Sequence, residues 1–358
     1  MGRGMPLREA RATWVAAIIV GILLTVGISA CGSSGSSASG GSSSAEAEPK
    51  SEAGGGESGS STESVRLDLI PAFGSLPLHV AEVNGFFEKQ GLDVSTTEST
   101  DVAGGVAALG KQFDIALGSP SIMFAANVHG AGLEAVSGLQ VVDKSHVNTV
   151  LVSKEPVKSL KELEGKSVAE ISLSGGSIQA TKYVIQSEGG DPSAVHFSAV
   201  PLPTMADQVK AGRIDAAVSA VPFFTGLEGV SVDEKDISVT AVEAITKGKQ
   251  KSTQSAIMIA TKGFVEEHPE AAEKFRAALA EAIAWIEENP KKATELLSGW
   301  LGLEEAIVEA APTPAFSATI STETLQPLIE IAQAVGELPS SAPSASEQLA
   351  PGADEEPR

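Results

Sequence analysis

Residues 65–94 read VRLDLIPAFGSLPLHVAEVNGFFEKQGLDV, and their reading decides the fold. Val65, Leu67 and Leu69 alternate with Arg66 and Asp68, the period-two pattern of a half-buried strand. The run breaks into the turn-rich loop Pro71-Ala72-Phe73-Gly74-Ser75. Pro77 suits the first turn of a helix, where its missing N–H costs nothing. Asn84-Gly85 offers that helix an exit, because both residues tolerate positive φ. Phe86-Phe87 pack a short turn, Gly91 ends it, and Leu92-Asp93-Val94 opens the next strand. The result is a β-loop-α-β unit with its loop at the carboxyl end of a strand, where open α/β sheets bind ligands.

The unit recurs about a hundred residues later. Lys166 to Val200 reads as strand (KSVAEIS), Ser/Gly loop (Leu173 to Gly176), helix (Ile178 to Glu188), Gly-Gly, strand (Val195 to Val200). Each copy then continues alike: Val102 to Leu109 with a strand at 113–119, and Met205 to Ala211 with a strand at 214–219. Two β-α-β-α-β lobes predict a cleft between them; one larger doubly wound domain with an internal echo is the plainer alternative.

The 25 Lys and Arg against 46 Asp and Glu give a net charge of −21, which excludes the basic face that a nucleic-acid binder needs. One long apolar run excludes a transmembrane bundle. That run, Trp14 to Ala30, follows Arg3, Arg8 and Arg11, the architecture of an export signal over residues 1–30. Cys31 is the single cysteine, so no internal disulfide forms. Ile28-Ser29-Ala30-Cys31 resembles the bacterial lipobox, which implies cleavage before Cys31 and its lipidation. An uncleaved anchor helix beside a bystander cysteine is the other reading.

From Cys31 the chain to residue 64 is Gly/Ser-rich and cannot bury a core, so 31–64 reads as a disordered tether spanning about 30–35 Å. The lobes follow: 65–153 with 249–338 as the first, 154–248 as the second. Asp143 to Ser153 and Thr253 to Thr261 are read as the two crossing segments, a hinge for cleft closure. Thr204-Met-Ala-Asp207 reads as a variant capping box. After Lys262 the pattern is helical, with a break at Asn289-Pro290. Residues 339–358 are rich in Pro, Ser, Ala and Glu and read as a disordered tail.

No catalytic constellation emerges. The five histidines share no metal-ligand spacing with one another or with Cys31, so no metal and no cofactor is expected. Gly118-Ser119-Pro120-Ser121 lacks the second glycine of a nucleophile elbow. Gly105-Val-Ala-Ala-Leu-Gly110-Lys111 imitates a phosphate loop, but Gln112 stands where Ser or Thr must hold Mg²⁺.

What converges is a set of uncharged loops at strand ends. The first lobe supplies Phe73, Gly74, Ser75, Ser119, Pro120 and Ser121; the second supplies Ser174, Gly175, Gly176, Ser177, Ser219, Phe223 and Phe224. Helix starts present free N–H groups and the positive end of the dipole, and serines add hydroxyls. These serines are equally helix caps. None of the loops carries Lys or Arg, so a small anion held by dipoles fits, as does a neutral polar heterocycle.

Leu76-Pro77-x-x-Val80-Ala81-x-x-x-Gly85-Phe86-Phe87-x-x-x-Gly91-Leu92-x-Val94 resembles the N-terminal motif of the nitrate/sulfonate/taurine and thiamine-precursor binding proteins. The likeness continues through Leu109-Gly-Lys-Gln-Phe-Asp114, Leu160-Lys-x-Leu163-x-Gly165-Lys166, Ala211-Gly-Arg-Ile-Asp215, Phe264-x-x-x-His268-Pro269 and Ala284-Trp285-Ile286-x-x-Asn289-Pro290. The resemblance implies a type II periplasmic-binding fold: two α/β lobes joined by two crossover hinge segments. It also implies a monomeric receptor, lipid-anchored outside the cell membrane, that delivers a small ligand to the permease of an ABC importer and catalyses nothing. A sensor or scaffold on the same fold, or an enzyme such as pyrimidine synthase, are the competing readings.

Overall fold

The computed structural model describes residues 62–357. The export signal, Cys31 and almost all of the tether lie outside the described residues. The first strand, β1 (Glu63–Leu69), starts two residues before the sequence reading places it, its first N–H donating to Gly91 O at 3.1 Å.

The stretch from Val65 folds as read. β1 leads to α1 (Leu76–Val83), Gly85 at φ 70° ends it, and α2 (Phe86–Lys89) leads to β2 (Leu92–Glu98). There follow α3 (Val102–Ala107), β3 (Ile115–Gly118), α4 (Pro120–Val128) and β4 (Leu133–Asp143). β2, β1 and β3 run parallel side by side, and β3 is buried along its whole length, as strands covered on both faces are. One position breaks the expected alternation: Asp68 is wholly buried instead of facing solvent.

The second lobe holds β5 (Thr149–Ser153), β6 (Ser167–Glu170), α5 (Gly176–Ser187), β7 (His196–Ala199), α6 (Leu202–Lys210), β8 (Ala216–Ala220), β9 (Ser231–Val232) and α7 (Ile237–Ile245). Its sheet runs β7-β6-β8-β5-β9, with β6 parallel to β7 and β8 and with β5 antiparallel to β8. Thr149–Ser153, expected at the end of the first lobe, therefore belongs to the second sheet. The capping box expected at Thr204 is absent. Pro201 precedes the first turn of α6, and Thr204 Oγ1 donates back to Pro201 O at 3.0 Å.

The chain returns through β10 (Ser252–Thr261), which inserts antiparallel between β3 and β4 and completes the first sheet, β11-β4-β10-β3-β1-β2. β10 is a central strand of that sheet, so the crossings are shorter than the sequence suggests: residues 144–148 outward and 246–251 on return.

Helices α8 (Lys262–Glu267), α9 (Pro269–Glu288), α10 (Pro290–Leu301) and α11 (Glu305–Ala310) cover the first sheet, followed by β11 (Ala315–Phe316) and α12 (Thr322–Ala334). α9 places Phe275, Leu279 and Ala282 in the larger core, and Phe275 stacks on Phe87 with ring centres 5.4 Å apart. α12 divides its apolar residues between the two lobes. Leu325, Ile329 and Ala332 join the first core and Ile331 the core of the second.

The tail expected to be disordered is ordered to residue 357. Ala350 N donates to Ala135 O at 3.0 Å, and Ile320 N donates to Ala353 O at 2.8 Å. Ala345, Ala350 and Ala353 are buried in the first core. Arg276 of α9 is buried, donating through Nη1 to Val136 O at 3.1 Å and through Nη2 to Pro351 O at 3.5 Å. Small residues that give a weak sequence signal here fit flat against the sheet, and the hydrogen bonds come from backbone.

Candidate functional site

Two helix starts meet where the sheets face each other. Ser119 caps α4, its Oγ accepting from Ile122 N at 3.4 Å and lying 3.0 Å from Ser121 Oγ. Gly175 precedes α5 at φ 100°, a conformation that costs a side-chain-bearing residue strain and glycine almost nothing. The next residue, Gly176, donates its N–H to Ser121 Oγ at 3.1 Å. A hydrogen bond thus ties the first turn of α5 in the second lobe to the first turn of α4 in the first.

Beneath this contact lies a cavity of about 190 Å³. Ser119, Pro120 and Ser121 line it from the first lobe; Gly176, Ser177 and Gln179 line it from the second. Asn148 at the end of the outward crossing and Thr149 at the start of β5 line one side, and Thr253, Gln254 and Ser255 at the start of β10 line the other. Leu328 and Ile331 of α12 form an apolar wall. The volume is below the roughly 300 Å³ of the smallest drug-sized sites, so its occupant is small.

A bulge interrupts β10 beside the cavity. β10 pairs Gln254 with Val141 and Ala256 with Gln140, leaving Ser255 as an extra residue. Bulges of this kind re-aim side chains beside binding sites. Gln254 Nε2 donates to Thr319 O at 3.3 Å, which fixes the amide so that Oε1 is a buried acceptor with no partner. The buried Thr253 Oγ1 is also unpartnered.

Asp236 holds the first crossing. Its Oδ2 accepts from Asn148 N and Thr149 N, both at 2.8 Å, while Oδ1 accepts from Ser238 N at 2.8 Å and Val239 N at 3.1 Å, capping α7. Burial raises its proton affinity, and the four N–H groups work against that rise. These donors occupy the carboxylate fully. Glu170, the last residue of β6, lies behind Ser177, which donates to its Oε2 at 2.7 Å; Thr181 Oγ1 donates to Oε1 at 2.7 Å. Burial pushes the Glu170 carboxyl up to about 7. Among the described residues that line the cavity there is no Lys, Arg or His.

The remaining sequence candidates stand elsewhere. Phe73 lines a separate cavity of about 370 Å³ within the first lobe, among Leu76, Leu297, Val308 and Phe316. Gly74 packs on the side chain of Gln140, where a Cβ would collide, and Ser75 is buried. Ser174 is exposed on the loop before α5, its N–H donating to Ser172 Oγ at 3.3 Å. Ser219 is buried in β8 with its hydroxyl unpartnered. Phe223 is partly exposed, and Phe224 packs on Val150 and Val152. Sequence reasoning missed Asn148, Thr149, Thr253, Gln254, Gln179, Glu170 and Asp236. For the first four a signal existed, because polar residues interrupt the two apolar stretches already read as crossings. Asp236-Ile-Ser is a legible cap. Glu170 ends an apolar strand and gave no sign of its partners.

Among the described residues no group of His, Cys, Asp and Glu is placed to hold a metal ion, and no helix is long and apolar enough to cross a membrane.

A family model described as NMT1/THI5 like matches residues 72–293. A formylaminopyrimidine-binding protein of Halalkalibacterium halodurans is 24% identical over 243 residues, 66% of this chain and 69% of that protein. Among solved structures, the periplasmic aliphatic sulphonate binding protein SsuA of Escherichia coli superposes with a TM-score of 0.65 at 17% identity, over 81% of this chain and 92% of that one. The periplasmic nitrate-binding protein NrtA of Synechocystis gives 0.58 at 14% identity, over 80% and 85%. These likenesses show the fold, a two-lobed periplasmic-binding architecture.

Proposed function

Since the chain belongs to the NMT1/THI5-like family, we propose that it is an extracytoplasmic solute receptor that captures a small ligand between its lobes and hands it to the permease of an ABC importer. The observation that carries this reading is the pair of facing helix starts, with Ser121 and Gly176 in contact over a cavity walled by both lobes and by the strand ends where the chain passes between them. Periplasmic-binding neighbours with the same architecture support it. Cys31 is the proposed lipid attachment site, the segment before residue 62 the proposed tether, and the receptor works as a monomer without cofactor or catalysis.

The ligand proposed is a small neutral heterocycle rich in N–H groups, in preference to an anion. No basic side chain among the lining residues is present to balance an anion, and the buried carboxylates of Glu170 and Asp236 stand behind the wall. The formylaminopyrimidine-binding relative fits this chemistry.

Mass spectrometry of small molecules released from the purified protein tests the reading. A stoichiometric nitrogen heterocycle is the expected result. No released molecule, together with no thermal shift from aminopyrimidines, sulfonates or nitrate, would remove the receptor role.

A further inference from the structure

Glu170 touches no solvent, yet it is hydrogen-bonded to a residue that lines the cavity. A hydroxyl owns one hydrogen and two lone pairs. Ser177 spends its hydrogen on Glu170 Oε2 at 2.7 Å, so only lone pairs remain for the cavity. The other carboxylate oxygen is taken by Thr181, itself fully buried on the next turn of α5. Lys182, the cation whose charge reaches Glu170, is already engaged with Glu337 Oε1 at 2.9 Å.

We propose that Glu170 is a specificity-determining positioning residue. By taking the hydrogen of Ser177 the ionised carboxylate fixes that hydroxyl as an acceptor toward the ligand and sets a negative charge behind it, so the site then accepts N–H and O–H groups and turns anions away. This rests on the receptor reading above and names the selectivity device of the same site.

Three variants separate charge from hydrogen-bond direction. In Glu170→Gln the amide oxygen still accepts from Ser177. The new N–H₂ faces Thr181, whose hydrogen turns to Ser177 O, already 3.0 Å away. Charge is lost and direction kept. Glu170→Met removes both, freeing Ser177 to donate into the cavity. Ser177→Ala removes the hydroxyl at a partly exposed position and leaves Glu170 Oε2 without that donor, so its thermal unfolding is measured beside the titration.

The experiment is calorimetric titration of the full-length protein at pH 8 with 4-aminopyrimidine and with methanesulfonate. Wild type is expected to prefer the aminopyrimidine. Glu170→Met should reduce the ratio of the two affinities about 30-fold, and Glu170→Gln by less. Ser177→Ala should weaken the aminopyrimidine about fivefold and leave methanesulfonate unaffected or tighter. A preference for methanesulfonate in wild type overturns the inference. So does a ratio unchanged in the Glu170 variants, or equal weakening of both probes in Ser177→Ala. Binding of neither probe also overturns it, whereas the receptor reading falls only if the mass spectrum of released molecules is empty too.

Discussion

Gly176 N–H and Ser121 Oγ lie 3.1 Å apart, and through them the first turns of two helices from different sheets are hydrogen-bonded to each other. The residues are 55 positions apart in sequence, so this bond reports on lobe arrangement and not on local folding. Ser121→Ala removes it, together with its contact to Ser119 Oγ, which keeps Ile122 N. A single hydrogen bond of this exposed kind contributes about 1 kcal/mol. The expected result is a ligand affinity reduced about fivefold with little change in melting temperature, measured by calorimetry and thermal unfolding side by side.

Asp236 supports more structure. One carboxylate satisfies two N–H groups of the first crossing and two at the start of α7. Loss of a cap alone costs about 1 kcal/mol, and buried N–H groups left unpaired add to it. Asp236→Ala is expected to lower the unfolding free energy by about 3 kcal/mol in urea titrations. Asp236→Asn should lose less, since its side-chain oxygen still accepts from one pair.

Glu170 makes stability depend on pH in a direction opposite to that of paired surface carboxylates. Burial raises its folded value to about 7 from the usual 4.5. The folded protein therefore holds a proton that the unfolded chain releases at lower pH. Its stability relative to Glu170→Gln is greatest below about pH 4.5, falls as pH rises through the window to about 7, and is level beyond. The full excursion is about 3 kcal/mol. Paired urea titrations of the two proteins at pH 4.5, 6 and 8 check this; a difference constant with pH would contradict it.

The ordered C-terminal segment predicts an effect that a disordered tail would not produce. Deleting residues 339–358 uncovers Ala135 at the sheet and leaves the buried Arg276 guanidinium without Pro351 O. Lost burial and a poorly satisfied charge together amount to about 3–5 kcal/mol. Thermal unfolding is expected to shift down by more than 5 °C.

Gly105 shows how a sequence signal can be real and its cause different. It opens the stretch that imitates a phosphate loop, and in the fold it sits in α3 against the buried carboxylate of Asp68, where a Cβ would collide. The glycine answers to a close approach inside the first lobe. Gly105→Ala is expected to destabilise by about 2 kcal/mol, by the cost of overpacking, and to leave ligand affinity unchanged at temperatures where the protein is folded.

The same contrast marks what was legible. The β-loop-α-β unit and its echo were readable because periodicity, Pro77, Gly85 and Gly91 are local signals, and both lobes repeat them. Ser119 was readable as a helix cap, while α5 was read from Ile178, two residues after Gly176 begins it. The position of Phe73 was not, since a loop at a strand end can turn its aromatic ring toward the cleft or back into its own lobe, and here it turns back. Asp68 and Glu170 were hidden for a related reason: a carboxylate in a strand reads as solvent-facing until its neighbours across the sheet are known. The placement of β5 depended on which sheet offered an antiparallel partner, a long-range question that Thr149–Ser153 alone does not answer.

The strands β4 and β10 are paired up to Asp143 and Ser252, the residues from which the outgoing and returning connections depart. Both threads between the halves are therefore anchored side by side on one ribbon. Any swing of one half against the other is restricted to flexing about a single line across that ribbon, and independent twisting or sliding of the two threads would have to unzip the ladder first.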